Sequence, residues 1–237
     1  MTKIKVRGIV LREYEAGESD KRLLIFCKEH GRLFAYARGA RKPTSKFMAA
    51  SQPFTYADFI LVQGRGFYSL AHADIIENFY TLREDYDRLM AAHTVAEVLE
   101  KTLWDDIESD DLLKLSLRTF LVLSKGRVEP LQALSVFLFR FFDVFGLRPQ
   151  TDGCVLCDTQ LSEMLKPMIC SEGLICHTHK PITYQSVTHT AIKAMQHILD
   201  SQPAEAFLFS AADSVILELK KVASMLWSCH FEWELSW

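Results

Sequence analysis

The chain has 237 residues, 49% of them apolar, and a net charge of −3; this is enough to fill one core and a smaller module, so two domains are predicted. No run of about 18 uncharged apolar residues occurs, because Arg140 and Asp143 interrupt the most apolar stretch, Leu131 to Leu147, and a membrane-spanning helix is excluded. The charged start, Met1 to Lys5, has no secretory-signal pattern, so a cytoplasmic, reducing environment with free thiols is expected.

Charge is unevenly spread. Residues 1–80 hold 13 Lys or Arg against 8 Asp or Glu, while the remainder holds 14 against 22. Between Glu29 and Asp58 there is no acid at all, yet Arg32, Arg38, Arg41, Lys42 and Lys46 fall there. Such a patch favours polyanions.

From Lys3 to about Tyr80 the pattern is short β-type runs bounded by turn residues. Five strands are predicted: Lys3 to Tyr14, Lys21 to Lys28, Arg32 to Gly39, Phe54 to Gln63 and Phe67 to Glu77. Glu29-His30-Gly31 and Gly64-Arg65-Gly66 read as turns. In the third strand Phe34, Tyr36 and Arg38 alternate with Leu33, Ala35 and Ala37. Five antiparallel strands in this length fit a small OB-type barrel, whose face and loops hold oligonucleotides; an SH3-like barrel satisfies the same pattern. Ala40 to Pro53 lacks alternation and reads as a long mobile loop carrying cations.

After Tyr80 the period becomes helical. Leu89, Ala92, Val95, Ala96, Leu99 and Leu103 mark one stripe, and Leu112, Leu115, Thr119 and Val122 a second. Asp105-Asp106 and Asp110-Asp111 lie between them, where a helix cap and solvated turn explain them. A third helix starts at Pro130, runs through Leu131, Leu134, Phe137, Leu138, Phe141 and Phe145, and is capped by Gly146. A non-helical insert follows, after which Thr190 to Leu199 and Ser214 to Trp227 return to helix. The predicted fold class is α+β multidomain: a five-stranded OB-type barrel over 1–80, then an all-helical domain over 81–237 with an insert at 148–184.

That insert carries the strongest local signal. Cys154-x2-Cys157 is followed by Cys176-x2-His179, two knuckles whose four ligands close a tetrahedral site and leave no place for water. A structural zinc ion, stapling an insert with little core of its own, is expected. Cys170 and His177 stand close enough in sequence to replace a member of the set, and unmetallated loop cysteines fit the same residues. Cys27 and Cys229 read as core residues.

The second signal is the basic segment. Phosphates are met by Lys and Arg and unpaired bases stack on exposed aromatics, so Arg32, Phe34, Tyr36, Arg38, Arg41, Lys42 and Lys46 are candidate DNA contacts. Solvated charges and core aromatics account for the same residues, and Tyr56 and Phe67 share that ambiguity. His93 and His197 have no partner at ligand spacing. No nucleotide-binding, metalloprotease, hydrolase or dinucleotide motif is present, so no catalytic residue is predicted.

The ordered set of segments resembles a known family. Gly8-Ile9-Val10-Leu11, Glu18-Ser19-Asp20-Lys21, Glu29-His30-Gly31, Ala37-Arg38-Gly39-Ala40-Arg41-Lys42 and Ser51-Gln52-Pro53-Phe54, then Gly146-Leu147-Arg148-Pro149 and Ser171-Glu172-Gly173-Leu174-Ile175-Cys176, are similar to the bacterial recombination-mediator family RecO. The resemblance implies an OB-fold, a helical domain with a zinc insert, and no enzymatic step. It implies binding of single- and double-stranded DNA, annealing of complementary strands, and gap repair in which RecR is a partner and RecA is helped to displace the single-strand DNA-binding protein, a nucleoid-associated role. It places Arg38, Arg41 and Lys42 against phosphate, and Cys154, Cys157, Cys176 and His179 on zinc. One glycine stands before Leu174 where the family often has two. The acidic, apolar-ended tail of the single-strand DNA-binding protein would need a hydrophobic groove beside a cation, for which Arg140, Lys220 and Lys221 are candidates. Two readings from other classes remain beside it: a protein-interaction adaptor with structural zinc, and a metal-dependent nucleic-acid hydrolase, which needs an open metal position.

Overall fold

A computed structural model describes residues 2–105, 107–157 and 159–235, so Asp106 lies outside the described residues. The chain forms two compact units, Met1–Ser124 and Lys125–Trp237. Secondary structure changes from strand to helix after Glu77, but the first two long helices belong to the compact unit of the barrel, so packing divides the chain later than the change of periodicity does.

Five strands build the first unit: β1 (Lys3–Ala16), β2 (Asp20–Cys27), β3 (Gly31–Ala37), β4 (Tyr56–Gln63) and β5 (Tyr68–Glu77). They close in the order β1-β2-β3-β5-β4, with β4 returning to β1. Every pairing is antiparallel except β3 with β5, which is parallel and joins only Ala35 to Tyr68 and Tyr36 to Ser69. This is the OB arrangement. Alternation dictates the faces. In β3, Leu33, Ala35 and Ala37 enter the barrel core with Val6, Val10, Leu23, Ile25, Phe59 and Leu61, while Arg32, Phe34 and Tyr36 stay partly exposed. A side-chain period of two leaves no other choice once one face is buried.

The segment between β3 and β4 is not the mobile loop expected. It is a chain of turns, with Ser45 N–H donating to Lys42 O (2.9 Å) and Ser51 N–H to Phe47 O (2.9 Å). Ala40, Phe47, Ala50, Ser51 and Phe54 are buried. The reason is core filling: Phe47 and Ala40 complete the barrel interior, and apolar residues set by turns rather than by a regular period leave no periodic trace in sequence.

Phe54 ends this segment in the left-handed region (φ 66°). It is buried against Phe120 (5.3 Å) and the ring edge of His93 (5.2 Å). These partners come from α1 (Tyr86–Thr102) and α2 (Asp110–Lys125), which is how the helices join the first unit. Asp85 caps α1 through Arg88 N–H (2.9 Å), and Asp110 opens α2 where the helix dipole favours a carboxylate.

The second unit is built on α3 (Pro130–Val144), α4 (His189–Asp200) and α5 (Asp213–His230). Pro130 sits in the first turn of α3, where its missing N–H costs nothing. Phe137, Phe141 and Phe142 are fully buried, and Phe141 meets Trp227 of α5 at 5.6 Å; each such side chain contributes roughly 1.5–3 kcal/mol by burial. Between α3 and α4 lies the insert, held by three two-residue strands, β6 (Met168–Ile169), β7 (Leu174–Ile175) and β8 (Gln185–Ser186), in the order β7-β6-β8.

Candidate nucleic-acid face and metal cluster

On the outer face of β2, β3 and β5 lies an open groove of about 710 Å³. Arg22, Arg32, Phe34, Tyr36, Arg38 and Phe67 line it, together with Asp20 and Asp105. The aromatics are therefore outside the core. Arg22 stacks its guanidinium 3.7 Å above the Phe34 ring, and Tyr36 meets Phe67 edge-on at 5.7 Å. Arg22 and Phe67 were not among the seven predicted contacts. The signal for Arg22 was there: in the hairpin register it lies opposite Tyr36, so it shares the face of that ring.

The predicted cations divide into three kinds. Arg38, Lys42 and Lys46 are exposed, and the Lys46 ammonium lies 4.8 Å from the Phe47 ring centre. Arg41 is largely committed to the β1–β2 turn, pairing with Glu15 (2.9 Å) while its N–H donates to Ser19 O (2.9 Å). Arg32 is held by Asp105 (2.8 Å) and by the carbonyl of Glu100 (2.7 Å). Tyr56 does not line the groove.

In the insert, Cys154, Cys157, Cys176 and His179 bring one ligand atom each within 4.8 Å of one another. Cys157 Sγ and Cys176 Sγ are 3.8 Å apart, Cys154 Sγ and His179 Nδ1 3.7 Å, and Cys176 Sγ and His179 Nδ1 3.2 Å. A tetrahedral ion bound at about 2.3 Å to sulfur has a sulfur–sulfur edge of about 3.8 Å, so the donor set fits a metal. Backbone supports the sulfurs as a knuckle does, with Cys176 N–H donating to Cys154 Sγ (3.4 Å). The Thr178 hydroxyl, 2.8 Å from Cys176 Sγ, holds that thiol down to about 5, which favours the ligating thiolate. Burial raises the Cys154 thiol, but amide donors from Cys176 and Leu156 prevail and lower it.

Neither alternative ligand enters the cluster. Cys170 is buried and donates to Glu172 (3.2 Å) and Gly173 O (3.4 Å), and burial pushes its thiol up. His177 is exposed and lines a different hollow beside Lys166 and Lys180. Cys27 is core as expected; Cys229 is not, being exposed near the end of α5.

The remaining candidates are structural. His197 bonds Ser201 (3.2 Å) and the Glu205 carbonyl (3.1 Å). Burial, with the nearby cations Arg12 and Arg83, pushes the His93 imidazole below its ordinary value. Arg140 is no groove cation: its guanidinium closes the C-terminus of α4, donating to the carbonyls of Leu199 (3.1 Å) and Ser201. No described helix is long and apolar enough to cross a membrane.

The comparisons with known proteins agree with this architecture. Residues 1–79 match the family described as Recombination protein O N terminal, and residues 83–236 match Recombination protein O C terminal. The DNA repair protein RecO of Acetivibrio thermocellus is 31% identical over 225 residues, covering 94% of this chain and 90% of its own length. That of Alkaliphilus metalliredigens is 36% identical over 174 residues (73% and 71%), and that of a Thermoanaerobacter species 25% over 236 residues (99% and 95%). With family matches across both halves and a relative above 30% identity along nearly the whole chain, an OB barrel with a helical body and a Cys3His cluster takes its place among DNA repair proteins: this chain belongs to the RecO family.

Proposed function

We propose that the chain is a non-enzymatic recombination mediator that binds single- and double-stranded DNA in the β2–β3–β5 groove and anneals complementary strands. The observation that carries this reading is the groove itself, where Arg22, Phe34, Tyr36, Arg38 and Phe67 face outward on the side of an OB barrel that receives oligonucleotides. Cations neutralise phosphate and rings offer stacking surfaces to unpaired bases. A strand so held has less charge to repel its complement, and pairing then proceeds with no bond broken. Names of the relatives support a repair setting. Within it, RecR and the tail of the single-strand DNA-binding protein are the proposed partners, RecA the indirect beneficiary, and the nucleoid the site of action.

The Cys154, Cys157, Cys176 and His179 cluster is assigned to one structural Zn2+. Three thiolates and an imidazole suit zinc over harder cations, and four protein ligands leave no coordination position for a reacting water. That filled set supports a role in holding the insert and argues against metal-assisted hydrolysis.

The test is fluorescence anisotropy of labelled single-stranded DNA across a salt series, with the protein unchanged and with the groove-lining Arg22 and Arg38 replaced together by Ala. Affinity is expected to fall with salt by roughly 0.7 log units per log unit for each phosphate contacted, and the variant to flatten that slope. A folded protein with no salt-dependent binding would overturn the reading in favour of a protein-interaction adaptor.

A further inference from the structure

Building on the groove as the DNA site, we propose that Asp105 occupies the place of a phosphate at one end of it, neutralising Arg32 and thereby limiting both the affinity of the groove and the length of strand it holds. Arg32 points its Nε to Asp105 Oδ1 at 2.8 Å, and both residues line the groove. A guanidinium receives a carboxylate and a phosphate oxygen through the same planar fork of donors. The second bond of Arg32, to the carbonyl of Glu100, involves a neutral acceptor and leaves the charge for Asp105 or a phosphate to satisfy.

The placement of Asp105 is built into the fold. Asp105 forms an antiparallel bridge with Gly31, Arg32 N–H donates to the Trp104 carbonyl (3.5 Å), and Ser109 N–H donates to Lys28 O (3.1 Å). Gly31 has φ +56°, and a Cβ there would stand 2.4 Å from the Trp104 carbonyl oxygen and 2.7 Å from that of Ile107. Only glycine lets the α1–α2 connection lie so close to β3. Glu108 of the same connection and Asp110 at the start of α2 lie 3.8 and 3.7 Å from Lys28.

Exposure sets the strength of the contact. The Asp105 side chain is 63% exposed while that of Arg32 is 30%, so the carboxylate faces water and its contact with the half-buried guanidinium is weak enough for a phosphate to displace. At the opposite end, Arg38 is exposed and has no ion-pair partner among the described residues, and the nearby Asp20 carboxylate accepts from the Gly39 N–H (2.7 Å) and not from a groove cation. The groove therefore has a strong end and a muted one, an arrangement suited to a protein that must release the strand it has presented.

Anisotropy of labelled oligo(dT) tests this in a double-mutant cycle of Asp105→Asn and Arg32→Ala. Asp105→Asn keeps the shape of the side chain and removes its charge. It is expected to tighten binding about fivefold at 0.1 M salt and to steepen the salt slope by about 0.7, the signature of one added phosphate contact. Arg32→Ala alone is expected to change affinity less than twofold, and in the Asp105→Asn background to abolish the gain. Unchanged or weaker binding by Asp105→Asn at an unchanged melting temperature overturns the proposal, as does a full loss on Arg32→Ala alone. If the Arg22 and Arg38 variant binds as the parent does, the groove reading itself has failed. If instead that variant loses binding while the cycle shows no coupling, only the role of Asp105 falls.

Discussion

The thiols of Cys157 and Cys176, nineteen residues apart in the chain, stand 3.8 Å from each other. Two bare sulfurs gain little from such proximity, whereas a shared tetrahedral ion requires it. We expect one equivalent of Co2+ to give the visible bands of tetrahedral thiolate coordination, and Zn2+ to displace it. Cys176→Ser should weaken the ion by more than about 100-fold, and Thr178→Val, which removes the hydroxyl beside Cys176, by about 10–100-fold. Metal-competition titration measures both.

Arg140 donates to the exposed carbonyl end of α4, and Arg148 joins it on the Leu199 oxygen (3.1 Å). These are helix-end acceptors without partners in their own helix. Arg140→Ala should destabilise the second unit by about 1–3 kcal/mol, the range for a partly buried, charge-assisted hydrogen bond, since the Ser201 carbonyl loses its Arg140 donor while Arg148 still serves Leu199 O. Arg140→Lys should recover only part of it, since one ammonium cannot reach two carbonyls in the plane of a fork. Denaturant melts of the two variants provide the comparison.

Arg7 and Asp58 face each other across the β1–β4 ladder and share two bonds, of 2.6 and 2.9 Å. The Arg7 hydrogen bond holds the Asp58 carboxyl down to about 2. A carboxyl lower in the folded chain than in the unfolded one adds stability above its ordinary value near 3.8, and that stability is lost as pH falls toward 2. Carboxyl-carbon NMR should find Asp58 titrating near 2, and Arg7→Gln should move it upward toward the ordinary carboxylate value. With Lys5 Nζ 3.4 Å away, Lys5→Gln is expected to have the smaller effect.

Gly173 has φ +147°, and a Cβ there would lie 2.4 Å from the Gln150 carbonyl oxygen. Gly173→Ala should therefore cost about 2–4 kcal/mol in the second unit through backbone strain and overpacking, with earlier proteolysis inside the insert. Gly17, whose Cβ would meet nothing within 4 Å despite its φ of +68°, serves as the reference: Gly17→Ala should cost only the left-handed conformation, about 1 kcal/mol.

Sequence pattern made the barrel legible because burial of one face forces alternation. Leu33, Ala35 and Ala37 announce the inside of β3, and with it the outward position of Phe34 and Tyr36. Knuckle spacing made the metal cluster legible for a similar reason, since two residues between ligands leave few backbone geometries. What escaped depends on partners distant in the chain. Arg32 read as a free cation because Asp105 lies 73 residues away, and Phe47 read as loop because no periodicity marks a core residue that is set in place by turns. Cys229 read as core because α5 is apolar on average, but its position falls on the solvent side of the helix.

The barrel closes through only two residue pairs between β3 and β5, and three residues from those pairs or their flanks, Tyr36, Phe67 and Tyr68, also line the groove. The shortest seam of the sheet and the floor of the groove are thus one place. Anything lying along that floor is a clasp across the seam, so occupancy of the groove and closure of the barrel are thermodynamically linked. Amides around Ala35 and Ser69 would register an occupant by slower hydrogen exchange even where no occupant touches them.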